Sequence, residues 1–487
     1  MNGDPTMPLS TTRRRPARRR LVLALTAAAA TLAVTACGGG DDTDGGSGDG
    51  GDSAEPLTFW TLESEPNRVA RTEANLERFT EQTGIEVELV TVEETAVPQQ
   101  MITNAASGTL PDVVDHPMVM TSRWLADGLL DAEAAQEVVD ELDPSTFREA
   151  GLEFATVDGT VAAVPTSGWG LIMHYRKDWF DAAGLEPPTS FENILAAAEA
   201  LHDPENQRYG IVLGNDPGHQ VTQQIFEHFA LGNGCQLIGE DDELALDDER
   251  CVETFEFYNE LLTDYAPAGT FNSVDQRAAY LAGQAAMMPQ GPFTLHRLAG
   301  LEDAELANCA ECAADPGYLA TNTGIVSEIE GYHGDSAQYG RISNLGITVD
   351  ADTENAQELV KYLVGDGYTE WLAQVPNGMI PMRTGTPESP TEFVDAWQEL
   401  NMGVDRDGTL VEYYGEDTVT ELVDGAQNFD AWGIRQGFGE LVGVLYELTT
   451  IPAAVGDVQN GVLTPEEAAA DVQQKLTDEL DLIESAG

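Results

Sequence analysis

From Pro56 onward, hydrophobic and polar positions fall into alternating strand and helix periods. LTFWTL, starting at Leu57, is a short run of apolar, β-branched and aromatic residues, the composition of a buried strand. PNRVARTEANLERFTEQTG then puts Val69, Leu76 and Phe79 on one helical face with charges elsewhere, and Gly84 closes it. IEVELVTVE sets Ile85, Val87 and Leu89 against Glu86 and Glu88, the two-residue period of a half-exposed strand. VPQQMITNAASGTLPD repeats apolar positions at Val97, Met101 and Ala105, which predicts a second helix ending at the Gly108/Pro111 break; PDVVDH follows as a third strand. Joined by right-handed crossovers, β-α-β-α-β makes a parallel, doubly wound sheet, so the fold class is α/β. Ligands of such sheets sit beyond the carboxyl ends of the strands, near a switch point in strand order. Trp60 ends the first strand and Asp115-His116 the third, so these three are expected to face one cleft, with Glu63 and Glu65 just after the first strand.

Upstream the pattern changes. The first 20 residues carry six arginines and a single acid, Asp4, and LVLALTAAAATLA follows as 13 largely apolar residues. That is a positive n-region and an h-region too short to span a bilayer of roughly 30 Å. Val34-Thr35-Ala36-Cys37 comes next and resembles the lipobox of bacterial lipoproteins, which implies cleavage after residue 36 and diacylglycerol on the Cys37 sulfur. The alternative is an ordinary cleaved signal with a leftover thiol. Residues 37–55 read as a disordered acidic linker: Gly38 to Glu55 holds eight glycines and five aspartates and no large apolar side chain. As a flexible coil it spans roughly 20 to 25 Å. DDTDGGSGDGGD lacks the ligand spacing and closing glutamate of a calcium loop.

The 487 residues carry 85 acids and 23 bases, a formal net charge of −62; removal of a leader worth +5 takes it to −67. Such a field repels nucleic acid and anionic lipid surfaces. Only Lys177, Lys361 and Lys475 are lysines, and an acid-rich, lysine-poor surface suits high salt, where counter-ions screen self-repulsion. Besides Cys37 there are Cys235, Cys251, Cys309 and Cys312. In an oxidising compartment pairing is the default, and of three possible connectivities the two local pairs are expected. A four-cysteine zinc site is the rival; 58 residues separate the halves and no neighbouring histidine supports it.

Further along stand Ala163-Val164-Pro165, then His174-Tyr175-Arg176-Lys177-Asp178-Trp179-Phe180, Ala183-Gly184-Leu185 and Pro187-Pro188-Thr189. With SGTLPDVV, YLAGQAAMMPQGPF (Tyr280 to Phe293) and NGMIPMRTG (Asn377 to Gly385), these resemble, in order, the family 1 extracellular solute-binding proteins of ABC importers, the group that includes maltose-binding protein. Each motif alone is weak, but their ordered sum spans nearly all of the chain after the leader. The resemblance implies a two-lobed periplasmic-binding-protein-like fold (class II), each lobe a doubly wound sheet flanked by helices, joined by a multi-strand hinge. The N-lobe would comprise 56–165 plus 342–380 and the C-lobe 166–341 plus 381–487, with crossings near 163–168, 338–346 and 378–381. It implies a monomer without cofactor or metal, lipid-anchored to the outer face of the bacterial cytoplasmic membrane, capturing a sugar or oligosaccharide between the lobes and delivering it to the transmembrane subunits of an ABC permease. Thr189-x-x-Glu192 and Thr464-x-x-Glu467 are capping boxes that independently open helices where the resemblance needs them.

Sugar recognition needs flat apolar faces for ring C–H surface and a few directional polar groups for hydroxyls. Trp60, Trp169 and Trp432 are the aromatic candidates, the last two flanked by glycines; Trp179 belongs to an amphipathic segment and reads as core. Where the family has an aromatic after Gly-Pro, this chain has Phe293, which keeps a ring but no indole donor. Glu63, Asp115 and His116 are polar candidates from the first lobe, and His219 and Gln220, after the strand-like YGIVLG, from the second. Arg341 falls at the second crossing and Arg383 near the third. For each the competing reading is structural: core for a tryptophan, a solvated loop for an acid, an ion pair for an arginine. There is no HExxH or GxSxG, and GFGELVG at Gly437 misses dinucleotide-loop spacing, so no enzyme is expected. Two other readings stay open: the same fold binding a peptide, polyamine or other non-sugar solute, and an extracellular glycoside hydrolase.

Overall fold

The computed structural model describes residues 55–239 and 242–486; the leader, Cys37 and the linker to Ala54 lie outside them. Twelve strands occur among the described residues: β1 (Leu57–Thr61), β2 (Val87–Thr91), β3 (Val113–Pro117), β4 (Thr156–Val157), β5 (Thr160–Val161), β6 (Val164–Gly170), β7 (Ile172–Arg176), β8 (Met287–Gln290), β9 (Thr323–Val326), β10 (Gln338–Ile347), β11 (Ile380–Pro381) and β12 (Phe429–Asp430). The three strands and two helices read from the first hydrophobic periods form where expected. Helix Pro66–Thr83 starts on Pro66 and stops at Gly84, whose φ of 80° is left-handed. It buries Leu76 and Phe79, together with Thr72 and Asn75 just before them.

The larger sheet runs β11-β6-β10-β3-β1-β2, with β12 beside β10. β1 pairs parallel with β2 and β3, as the crossover rule requires, whereas β10 lies antiparallel to both β3 and β6. Apolar residues cover both faces. Leu57, Phe59 and Val113 point into the main core, and Trp60 and Val114, one residue on, point into a separate cluster with Val97, Met101 and Trp124.

The second sheet is smaller and antiparallel, β8-β7-β9, with Tyr209 bridged parallel to Ala285 along its edge. Only Leu171 separates β6 in the first sheet from β7 in the second, so the chain passes between sheets there; it returns between β9 and β10. β11 adds a third link at Ile380–Pro381, pairing with Gly168 and Ser167. Segment 382–398 then packs against the first sheet's helices: Arg148 N–H donates to Met382 O, and Phe393 meets Tyr368 edge-on.

Both local disulfides form, Cys235–Cys251 and Cys309–Cys312, with Cα atoms 4.8 and 5.0 Å apart. All four thiols are thereby used, so the four-cysteine zinc reading falls away. Each of these cysteines is buried in the main core.

Candidate functional site

β1 and β3 end beside the crossing strands β6 and β10, and a cavity of about 330 Å³ opens there. Leu62 and Glu63 reach it from the turn after β1, Glu94 from the turn after β2, and Asp115 from β3 itself. Ser167 and Trp169 lie two apart on β6 and pair with Ser343 and Arg341 on β10, so strand alternation presents all four on one face. The opposite wall comes from the second sheet's side: Arg277 from helix Ser273–Leu281, Phe293 from the turn after β8, and Arg297 from the following helical turn. Trp371, Val375, Gly378 and Met379 complete it, with Arg68 at the rim of helix Pro66–Thr83.

Trp169 and Phe293 are both half-buried and meet edge-on, offering ring surface to the cavity. Asp115 is 7% exposed, and its Oδ1 has no partner among the described residues. Burial, then the nearby Glu63 carboxylate, pushes its pKa up to about 7, against the Leu62 backbone and Arg341, which favour the charged form. The Trp371 indole N–H is likewise buried and unpartnered. A buried polar atom without a partner costs on the order of 1–3 kcal/mol, which a ligand recovers when it supplies one. The cavity therefore has, among its open groups, a buried carboxylate acceptor and a buried indole donor.

Four guanidinium groups line the cavity. Arg68 pairs with Glu63 at 2.9 Å and Arg341 with Glu94 at 2.7 Å. Arg277 is held by both oxygens of Glu305, at 2.6 and 3.0 Å. Arg297 lies 2.8 Å from Glu302 and 3.1 Å from Glu305, and donates to Phe293 O.

Of the eleven residues singled out from sequence for the ligand, Glu63, Asp115, Trp169, Phe293 and Arg341 meet in this cavity. The other six do not line it. Trp60 is a core residue on the face of β1 turned away from the main core. His116 is fully buried between Val114 O and Thr121 Oγ1 and tilted against Trp124, and burial drives its pKa down to about 4. His219 caps helix Gln220–Gly232, its Nδ1 accepting from Val221 N–H, and Gln220 is that helix's first residue. Arg383 is buried under Phe147 and Phe393, donating to Thr146 Oγ1, Val364 O and Leu142 O. Trp432 is completely buried, with its indole N–H on Cys235 O and its backbone N–H on Glu227. Sequence reasoning missed Arg68, Glu94, Ser167, Arg277, Arg297, Ser343 and Trp371. Arg277 and Arg297 sit three and four residues outside the Tyr280–Phe293 motif, a proximity that was available as a signal.

A broader groove of about 550 Å³ lies between Glu149–Gly159 and Ile434–Gly437. It has no aromatic wall, and Arg435 closes part of it through Glu153 at 2.9 Å. Strand-end placement, ring surface and open buried polar atoms all favour the first cavity.

Residues 64–370 match the family described as bacterial extracellular solute-binding protein. The chain is 26% identical over 379 residues to an Escherichia coli K12 protein named as an ABC transporter periplasmic-binding protein, YcjN, covering 76% of this chain and 82% of that one. Its fold matches an ABC transporter solute-binding protein from Thermotoga lettingae bound with α-D-tagatose (TM-score 0.66, 19% identity, 87% of this chain and 99% of that one). It matches maltose-bound MalE3 of T. maritima equally well (TM-score 0.66, 18% identity, 87% and 99%).

Proposed function

The chain belongs to the bacterial extracellular solute-binding protein family, and we propose that it captures a sugar or oligosaccharide between its two sheets and hands it to the permease of an ABC importer. The observation that carries this reading is the pairing, in one strand-end cavity, of the Trp169/Phe293 ring surface with the open Asp115 oxygen and Trp371 N–H. Rings cover the apolar faces of a pyranose while fixed donors and acceptors read its hydroxyls. That fold relatives bind tagatose and maltose supports the same class of solute.

In this reading the lobes divide at the crossings, 56–165 with 342–380 and 166–341 with 381–487, with segment 382–398 kept on the first sheet. Closure about β6, β10 and β11 adds contacts that the open form lacks, and only that differential affinity drives the shift. The protein acts as a monomer without catalysis. Cleavage after residue 36 and lipidation of Cys37 hold it at the outer face of the cytoplasmic membrane, on the tether 37–55. Four arginines in the wall weigh against the polyamine alternative.

A thermal-shift panel of mono- and oligosaccharides at high salt tests the assignment. A ligand at 100 times its dissociation constant adds roughly 2.7 kcal/mol of stability. If no saccharide raises the melting temperature while peptides or cations do, the carbohydrate reading fails.

A further inference from the structure

The cavity wall departs from the charge of the molecule that contains it. Of the 23 basic residues six lie in the leader, leaving 17, and four of these, Arg68, Arg277, Arg297 and Arg341, line one cavity of about 330 Å³. A side pocket of about 150 Å³ shares Arg68 and Arg297 with it and adds Arg71, beside Glu65 and Glu302. In a chain of net charge −62 this gathers arginines at the cavity proposed to hold the solute.

Each of these arginines has a carboxylate partner, but two of the partners stand outside the cavity lining. Glu63 and Glu94 each engage one guanidinium from within the wall, but Arg277 and Arg297 lean on Glu302 and Glu305, neither of which lines the cavity. Arg68 and Arg341 use one nitrogen apiece, and Arg277 leaves Nη1 free, so each keeps N–H groups without an acceptor among the described residues. The remaining wall acid, Asp115, is the one whose burial favours the neutral form. Arg277 also presses on Arg297: burial, then that neighbouring charge, loosens its proton against the pull of Glu302 and Glu305. A neutral sugar can accept hydrogen bonds here but leaves that repulsion in place. A carboxylate relieves it and matches the guanidinium fork.

Resting on the saccharide reading above, we propose that the solute is an acidic saccharide, a mono- or disaccharide carrying a uronate carboxylate, which Arg277, Arg297 and Arg341 receive. Trp169 and Phe293 would then cover the ring, and selectivity over neutral sugars comes from charge rather than ring contact.

Titration calorimetry with matched probes decides this: glucuronate, galacturonate and mannuronate, and galacturonate disaccharide, each against the corresponding uronamide and neutral sugar. The amide keeps the ring and a hydrogen-bonding group and removes the charge. The expected result is at least one series in which the uronate binds tenfold or more tighter than its amide, with the gap shrinking between about 0.1 and 1 M salt as screening predicts. Arg341→Gln should bring the uronate-to-amide ratio towards one. If that variant does not fold, the wild-type comparison still decides. Neutral sugars binding as tightly as their uronates overturns the acidic class and leaves the saccharide reading standing. No binding by any member of any series overturns the acidic class, and the saccharide panel above then decides the broader reading.

Discussion

Trp169 meets Phe293 edge-on, with ring centroids 5.4 Å apart and planes at 89°. The first ring stands on β6, which belongs to the larger sheet, and the second on the turn that follows β8 of the smaller one. The pair therefore ties the two halves of the cavity through ring surface that is only half-buried in the protein.

That geometry predicts a split between binding and stability. Trp169→Ala should lower saccharide affinity by about 10- to 100-fold, since an aromatic anchor in a binding pocket is worth on the order of 1–3 kcal/mol. Melting temperature should fall less than for a fully buried ring, because Trp169 is half-buried and meets the core along one side only, next to Tyr339. Calorimetry beside a thermal melt checks both, and a large loss of stability with unchanged affinity would make Trp169 a packing residue.

Asp115 sets a pH dependence whose sign can be worked out. Its pKa rises from 3.8 to about 7 on folding, so the folded protein binds a proton that the unfolded chain has lost. The associated stability is complete below pH 3.8 and is lost as pH rises through about 7. Asp115→Asn removes the buried charge, and at pH 8 it should be more stable than wild type by on the order of 2–4 kcal/mol, with the difference vanishing near pH 4. Glu227, also raised to about 7 by burial, keeps its own contribution of the same sign in both proteins. Urea denaturation at a series of pH values measures the difference directly.

The disulfides differ in what they constrain. Cys235 and Cys251 are 16 residues apart and Cys309 and Cys312 only three. In the chain-entropy model, paired alanine replacement should cost about 3 kcal/mol at the first bridge and about 1.5 kcal/mol at the second. Equilibrium unfolding of the two double variants checks the order.

Much of the framework was legible because it rests on local periodicity: Leu76 and Phe79 on one helix face, Ile85 to Leu89 alternating, and Gly84 as a stop. The site was legible where a strand end or a crossing fixes it, as with Glu63, Asp115, Trp169 and Arg341, and at Phe293 through its place after Gly-Pro. Trp60 was misplaced by a single residue's alternation, since Phe59 and Trp60 share a strand but not a face. Trp432 looked like a loop residue between glycine-rich turns, yet it fills space against Phe226 and below Cys235. Arg277, Arg297 and Trp371 come from separate parts of the chain and converge only through tertiary packing, which no local pattern encodes.

The crossing strands offer a final test of how tightly the hinge is built. Gly340 on β10 packs beneath Phe429, the first residue of β12, and a Cβ placed at 340 would come within 2.2 Å of that buried ring. Gly170, its partner across β6, faces the same ring, with a Cβ there 2.7 Å away. Gly340→Ala must therefore push Phe429 aside, and overpacking of this kind costs about 1–3 kcal/mol. Shrinking the obstacle should return part of that loss, so Phe429→Leu combined with Gly340→Ala is expected to be more stable than the sum of the single effects predicts. A double-mutant cycle in urea measures the coupling. Strict additivity would mean that the ring and the glycine are energetically independent and that the close approach does not constrain the crossing.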